Sequence, residues 1–256
     1  MLVAITRGVS ARIWACELTH VERDAIDLDL ARAQHRAYED ALAQLGCRVD
    51  SLPALDDLPD SVFVEDVAVV LDEIAVITRP GAESRRPEAA LIAPALANYR
   101  RVTFIQSPGT LDGGDVLRIG RRIFVGQSGR SSESGIEQLR TVAWPYGYTV
   151  TVVPVRGCLH LKSAITEVAP GAVLVNSAWV DPAAFGHVTT IEVDPGEPYG
   201  ANGLLVGGRL IYPDSFPATR RRLEDAGVDV VPVDVSELQK AEGAITCCSL
   251  VFSAQE

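Results

Sequence analysis

The chain has 256 residues, 47% of them hydrophobic and 22% charged, which supports a sizeable folded core and excludes intrinsic disorder. Acidic residues outnumber basic ones, 34 to 23, giving a formal charge of −11. That excludes broad electrostatic binding to nucleic acid or anionic membranes, both of which need clustered Lys and Arg.

In chain order, Met1–Thr6 reads as a strand. Asp29–Leu45 reads as a helix with an apolar stripe at Leu30, Ala33, Ala37, Ala41 and Leu45 and a stop at Gly46. A hairpin follows, Val67–Leu71 and Ile74–Thr78 around Asp72-Glu73, then a helix at Pro87–Tyr99. The second hairpin is Val116–Ile119 and Arg122–Val125 around Gly120-Arg121, then a helix at Ser134–Val142. The third is Ala164–Val168 and Ala172–Val175 around Ala169-Pro170-Gly171. The fourth is Gly203–Val206 and Arg209–Tyr212 around Gly207-Gly208, followed by a helix at Pro217–Ala226 and a strand at Val228–Val233. Leu250–Ser253 is a last strand.

A polar residue precedes each hairpin strand: Asp66, Asp115, Ser163, Asn202 and, before the last strand, Ser249. These marks recur at intervals of roughly 40–50 residues, the signature of a repeat architecture. The expected unit is β-β-α-β. Five units close in a ring if Met1–Thr6 pairs with Leu250–Ser253. The expected domain is a single one, 1–256. No G-x-G-x-x-G opens a helix, which argues against a dinucleotide fold.

Ring closure would bring five polar segments to one axis: Glu65-Asp66, Asp112-Gly113-Gly114-Asp115, His160 to Ser163, Gly200 to Asn202, and Cys247-Cys248-Ser249. Cys247 is then a candidate nucleophile, although adjacent cysteines are also ordinary core residues. Strand alternation would turn Cys247 and Cys248 to opposite faces. The acids Asp60, Glu65, Asp66, Asp112 and Asp115 suit a cation, and Arg85 and Arg130 suit a carboxylate. Acids for a cation with arginines for a carboxylate describe a basic amino acid. Cys158-x-His160 and Cys247-Cys248 could supply zinc ligands. Adjacent cysteines are poor tetrahedral partners, however, and no C-x-x-C exists, so no metal is expected. Five cysteines, an odd number, fit a reducing cytoplasm. No apolar run approaches the ~18 residues of a spanning helix, and no signal peptide is expected.

The segments Phe63 to Val70, Leu111 to Leu117, Leu159 to Ser163 and Thr246 to Ser249 resemble the dimethylarginine dimethylaminohydrolase (dimethylargininase) family. The resemblance implies a five-bladed α/β-propeller with a central active-site channel. It also implies hydrolysis of methylated arginine to citrulline and methylamines through a covalent thiouronium. By the same resemblance Cys247 is the nucleophile, His160 the general acid/base and Asp112 the acid that orients it. Asp60 and Asp66, with Glu65 beside them, would bind the guanidinium, and Arg85 and Arg130 the amino-acid end. Leu18, on a first loop, and the backbone near Ala241 would complete the pocket. No cofactor is implied. The expected partner is a small guanidino amino acid, in a monomer or homodimer. The alternative is a relative of the same superfamily, an arginine deiminase or amidinotransferase.

Overall fold

The computed structural model describes residues 1–254. The chain opens with β1 (Leu2–Arg7), α1 (Leu28–Gln44) and β2 (Cys47–Leu52). Two units follow: β3 (Ala68–Val70), β4 (Ile74–Ile77), α2 (Arg86–Ala97) and β5 (Arg101–Phe104), then β6 (Val116–Ile119), β7 (Arg122–Gln127), α3 (Glu133–Ala143) and β8 (Thr149–Pro154). The third unit is α4 (Leu161–Ala164), β9 (Ile165–Ala169), β10 (Ala172–Val175) and β11 (Thr189–Glu192). The fourth is β12 (Leu204–Val206), β13 (Arg209–Pro213), α5 (Pro217–Asp225) and β14 (Val230–Val233). A short helix α6 (Ser236–Gln239) precedes β15 (Leu250–Ser253).

These strands form five three-stranded sheets, β3-β4-β5, β6-β7-β8, β9-β10-β11, β12-β13-β14 and β15-β1-β2. In every sheet the middle strand runs antiparallel to the first and parallel to the third. The two ends of the chain share one sheet as expected, with Leu2 opposite Ser253 and Ile5 opposite Leu250.

Hydrophobic packing closes the ring. Each of five buried clusters joins one sheet to the next: Val76 with Val125, Phe124 with Val173, Leu174 with Leu210, Ile211 with Ala4, and Ile5 with Ile77. Burying apolar faces between neighbours is what holds a repeat fold together. Residues of all five first strands (β3, β6, β9, β12, β15) line one axial space of about 370 Å³. The architecture is a five-bladed α/β-propeller.

Two expectations change. In the third blade only a 3-10 turn, Pro182–Phe185, lies between β10 and β11, because Pro182 opens it and Gly186, at φ 71°, ends it within one turn. α1 buries Ala31, His35, Tyr38, Leu42 and, from the expected stripe, Ala41, while Leu30, Ala33 and Ala37 face out. Large side chains at helical spacing decide the face, because they bury more area than alanines do. Tyr38 also needs a partner for its hydroxyl, which meets Ser249 Oγ at 2.6 Å. Among the described residues no helix is long and apolar enough to cross a membrane.

Candidate active site

Before three of the five first strands the chain makes a 3-10 turn: Val64–Val67, Gly113–Asp115 and Thr246–Cys248. Before β9 it makes the single turn of α4. These turns touch one another at one end of the axis. Glycine allows the approach. A Cβ on Gly113 would lie 1.9 Å from the Glu65 carbonyl oxygen, and one on Gly114 would lie 2.5 Å from His160 Nδ1.

His160 stands between two acids. Its Nε2 is 3.0 Å from Asp112 Oδ2, and its Nδ1 is 3.7 Å from Asp66 Oδ1. Asp112 is fully buried and fixed from its other oxygen by Gly81 N at 2.8 Å. Burial opposes a charge on His160, but Asp66, Asp112 and Asp115 outweigh it and push its pKa up to about 9. Burial would likewise raise Asp66, yet His160 and Arg85 hold it down at about 2. An imidazolium at neutral pH follows.

Cys247 and Cys248 part company as expected, but for another reason. They lie on a 3-10 turn, not a strand. Cys248 is buried in the core, its thiol 3.4 Å from the Ala244 carbonyl oxygen. Cys247 is half-buried and lines a small cavity with Asp66, His160, Asp60, Arg85, Arg130 and Ala241. Burial, with the charges of Glu65 and Asp66, pushes its thiol well above the ordinary range. The free protein therefore holds a thiol there, beside an imidazolium and two acids.

Glu65 is built into the floor, accepting from Lys162 Nζ at 2.5 Å and Thr246 Oγ1 at 2.7 Å. Glu65 and both partners line the axial space. Asp60 is turned to the covering segment, where both its oxygens accept from Glu17 N at 3.2 Å. Arg85 lines the cavity, but its guanidinium is mostly engaged. It donates to Asp66 Oδ2, to both Glu88 oxygens and to the carbonyls of Asp60 and Phe63. Among the described residues, one of its five N–H groups, on Nη1, has no acceptor. Arg130 is half-exposed, with one side-chain bond, to Thr19 Oγ1 at 3.0 Å. The two arginines are thus unequal.

Leu18 does not line the cavity. It packs against the cluster around Phe63 and Ile245, and its neighbour Glu17 is the lining residue. Glu242 also lines it, and its carboxylate accepts from the backbone of Thr19 at 2.6 Å and His20 at 2.9 Å. Glu17, Glu88 and Glu242 were not apparent in the sequence, since they carry no motif; Lys162 sits in the His160 segment, but its pairing with Glu65 carried no local signal. The positive φ of Glu242, 59°, has no sequence signal either. With segment 16–26 in place the open space is about 20 Å³, room for one water. A ligand of amino-acid size needs more room than this lining leaves.

Among the described residues one group of three donors comes close enough to share an ion: Asp66, Asp112 and His160, within 4.8 Å. Their atoms are already joined to one another and to Arg85, Gly81 N and Gly114 N, which is acid–imidazole geometry. Cys158 stays outside this group, its thiol donating to the His160 carbonyl at 3.4 Å.

No family model matches the chain. It is 44% identical over 250 residues to the N(G),N(G)-dimethylarginine dimethylaminohydrolase of Streptomyces coelicolor, covering 96% of this chain and 95% of that one. The chain belongs to the dimethylarginine dimethylaminohydrolase family. Among solved structures, a cysteine-to-serine variant of the Pseudomonas aeruginosa family member, complexed with citrulline, superposes with a TM-score of 0.92. The match has 32% identity and covers 97% of this chain and 98% of that one. A histidine-to-glycine variant of a dimethylarginine dimethylaminohydrolase, as an adduct with S-methyl-L-thiocitrulline, gives 0.94 at 32% identity over 98% and 100%.

Proposed function

We propose that this chain hydrolyses N-ω-methylated L-arginine to citrulline and a methylamine, as a single catalytic domain. The observation that carries the reading is Cys247, a thiol that shares one cavity with His160, Asp66 and Arg130 in a member of this family.

The chemistry follows from the charges. Glu65 and Asp66 flank the thiol and disfavour a thiolate while the site is empty. A bound guanidinium neutralises them and stabilises the anion, so the thiol proton leaves to solvent as substrate arrives. Thiolate attack on the guanidinium carbon gives a neutral tetrahedral adduct. His160 gives its proton to the methylated nitrogen, the C–N bond breaks and the amine leaves. A cationic thiouronium on Cys247 and a neutral His160 remain. His160 then takes a proton from the attacking water. Collapse breaks the C–S bond, the adduct's hydroxyl proton passes to the departing sulfur, citrulline leaves and the resting thiol is regained. Arg130, with the last free N–H of Arg85, suits the substrate carboxylate, and Asp60 suits the ammonium. This divides the acids differently from the sequence expectation, which set Asp60 on the guanidinium.

The test is citrulline formation from asymmetric dimethylarginine, monomethylarginine and arginine. Methylated substrates should turn over, and Cys247→Ser should lose on the order of 10⁴-fold or more in kcat. Acid-quenched wild type should carry the adduct mass on Cys247, not Cys248. Turnover of arginine alone would make the protein a deiminase instead.

A further inference from the structure

The proposed reaction leaves one buried acid at the site without a role. Asp115 has no exposed surface and closes the turn that begins beside Asp112. A carboxylate in that position needs donors, and it has three. Leu161 N donates to Oδ1 at 3.1 Å, and Ser128 Oγ and Ser131 Oγ donate to Oδ2 at 2.5 and 2.6 Å.

Each donor leads to a group that the reaction uses. Leu161 is the residue after His160. Ser131 Oγ accepts from the backbone N of Asp112 at 3.2 Å, and Asp112 is the acid on His160 Nε2. Ser128 Oγ accepts from the backbone N of Arg130 at 3.0 Å. One carboxylate therefore ties together three segments far apart in the chain: the imidazole, its acid and the arginine.

We propose that Asp115 is a positioning residue for the His160–Asp112 pair and, through Ser128, for Arg130. The role assigned to those three groups rests on the hydrolase reading above. All three partners donate, so the ionised carboxylate is the form that fits; an amide keeps one acceptor oxygen, so either Leu161 N or the two serine hydroxyls would face an NH2 donor instead. The charge also acts through space. His160 is faced by Asp66 at Nδ1, by Asp112 at Nε2 and by Asp115 behind its backbone, with Cys247 across the cavity.

The experiment compares three variants by His160 titration, followed by NMR, and by kcat and KM for dimethylarginine. Asp115→Asn should lower the His160 midpoint by about one unit, with the high-pH limb of kcat moving down alongside. An acid that only supports folding would lower thermal stability and leave that midpoint in place, which would overturn the proposal. Ser128→Ala cuts only the branch to Arg130 and should raise KM several-fold with little change in kcat or midpoint. Ser131→Ala keeps the charge but frees Asp112, so kcat should fall while the midpoint holds. If Asp115→Asn does not fold, the two serine variants decide: identical changes in KM and kcat would overturn the branching. A wild type with no turnover would sink the hydrolase reading, and the His160 shift in Asp115→Asn would still test this one.

Discussion

On the floor of the cavity Asp66, Asp112 and Glu65 each accept two hydrogen bonds, and all three are buried. Above it, Thr19 and His20 are exposed, and their backbones are held by the single carboxylate of Glu242. The floor lies at the junction of apolar clusters, so moving one acid would disturb several blades. The covering segment, 16–26, has no strand or helix of its own and follows a single 3-10 turn, Ile13–Ala15. The difference separates two tasks. Charges that set protonation must keep their geometry, because a desolvated charge without its partner is costly. A cover must give way, and most of its bonds to other segments lie at exposed residues.

The largest break in this contrast should come from Arg85. Arg85→Ala leaves Asp66 and Glu88 buried without their cation, which should cost about 3–5 kcal/mol of stability and most of the activity. Arg130→Ala should leave stability within about 0.5 kcal/mol. It should weaken binding of the free amino acid by about 1.5–3 kcal/mol. Denaturant unfolding and KM, measured on both, check the inequality. If the two variants behave alike, the arginines are not divided between floor and rim.

A smaller effect concerns pH. His160 has an ordinary value near 6.5 in the unfolded chain and about 9 when folded. A raised folded value means that the native state holds the proton more tightly. Its contribution is therefore complete below about pH 6.5 and disappears as pH rises through about 9. The difference corresponds to ~3 kcal/mol. The Asp66–His160 attraction appears in both groups' shifts and counts once. Glu88, raised to about 7 chiefly by burial, contributes a separate decline at lower pH, between about 4.5 and 7. His160→Gln should remove the decline between pH 6.5 and 9 and leave the one below it. A variant that keeps the upper decline would show that other groups cause it.

How far the sequence reached follows the same division. The repeat was legible because each blade begins with a polar residue and a short apolar hairpin, both local signals. Cys247, proposed as the nucleophile, His160 and Asp112 stood out because they occupy similar places in the repeat. The helix face of α1 was read in part: Ala41 and Leu45 pack on the core, but Tyr38 and Leu42 lie on the buried face in place of Leu30, Ala33 and Ala37. The clamp of Glu88 on Arg85 was invisible, as an i,i+3 pair on a helix looks like a solvated face. Lys162 meets Glu65 across 97 residues, a contact that only ring closure creates. The covering segment carries no periodicity at all, so Leu18 was placed by resemblance and its side chain points elsewhere.

The smallest effect tests the cover. Glu242 is the one non-glycine residue with positive φ among those described, a conformation that disfavours a side chain. Its carboxylate offsets that cost through Thr19 N and His20 N. Glu242→Gly removes the side chain and the backbone penalty together, so global stability should change by less than about 1 kcal/mol. The cover loses its charged acceptor, and local opening should become easier by about 1.5 kcal/mol, roughly tenfold in hydrogen exchange at Thr19 and His20. Exchange at Leu161 and Asp112, bound to Asp115 and Ser131 below, should not change. If the four amides lose protection together, cover and floor open as one unit, and the distinction drawn between them fails. If only the first two change, access to Cys247 is set above the cavity and its chemistry below.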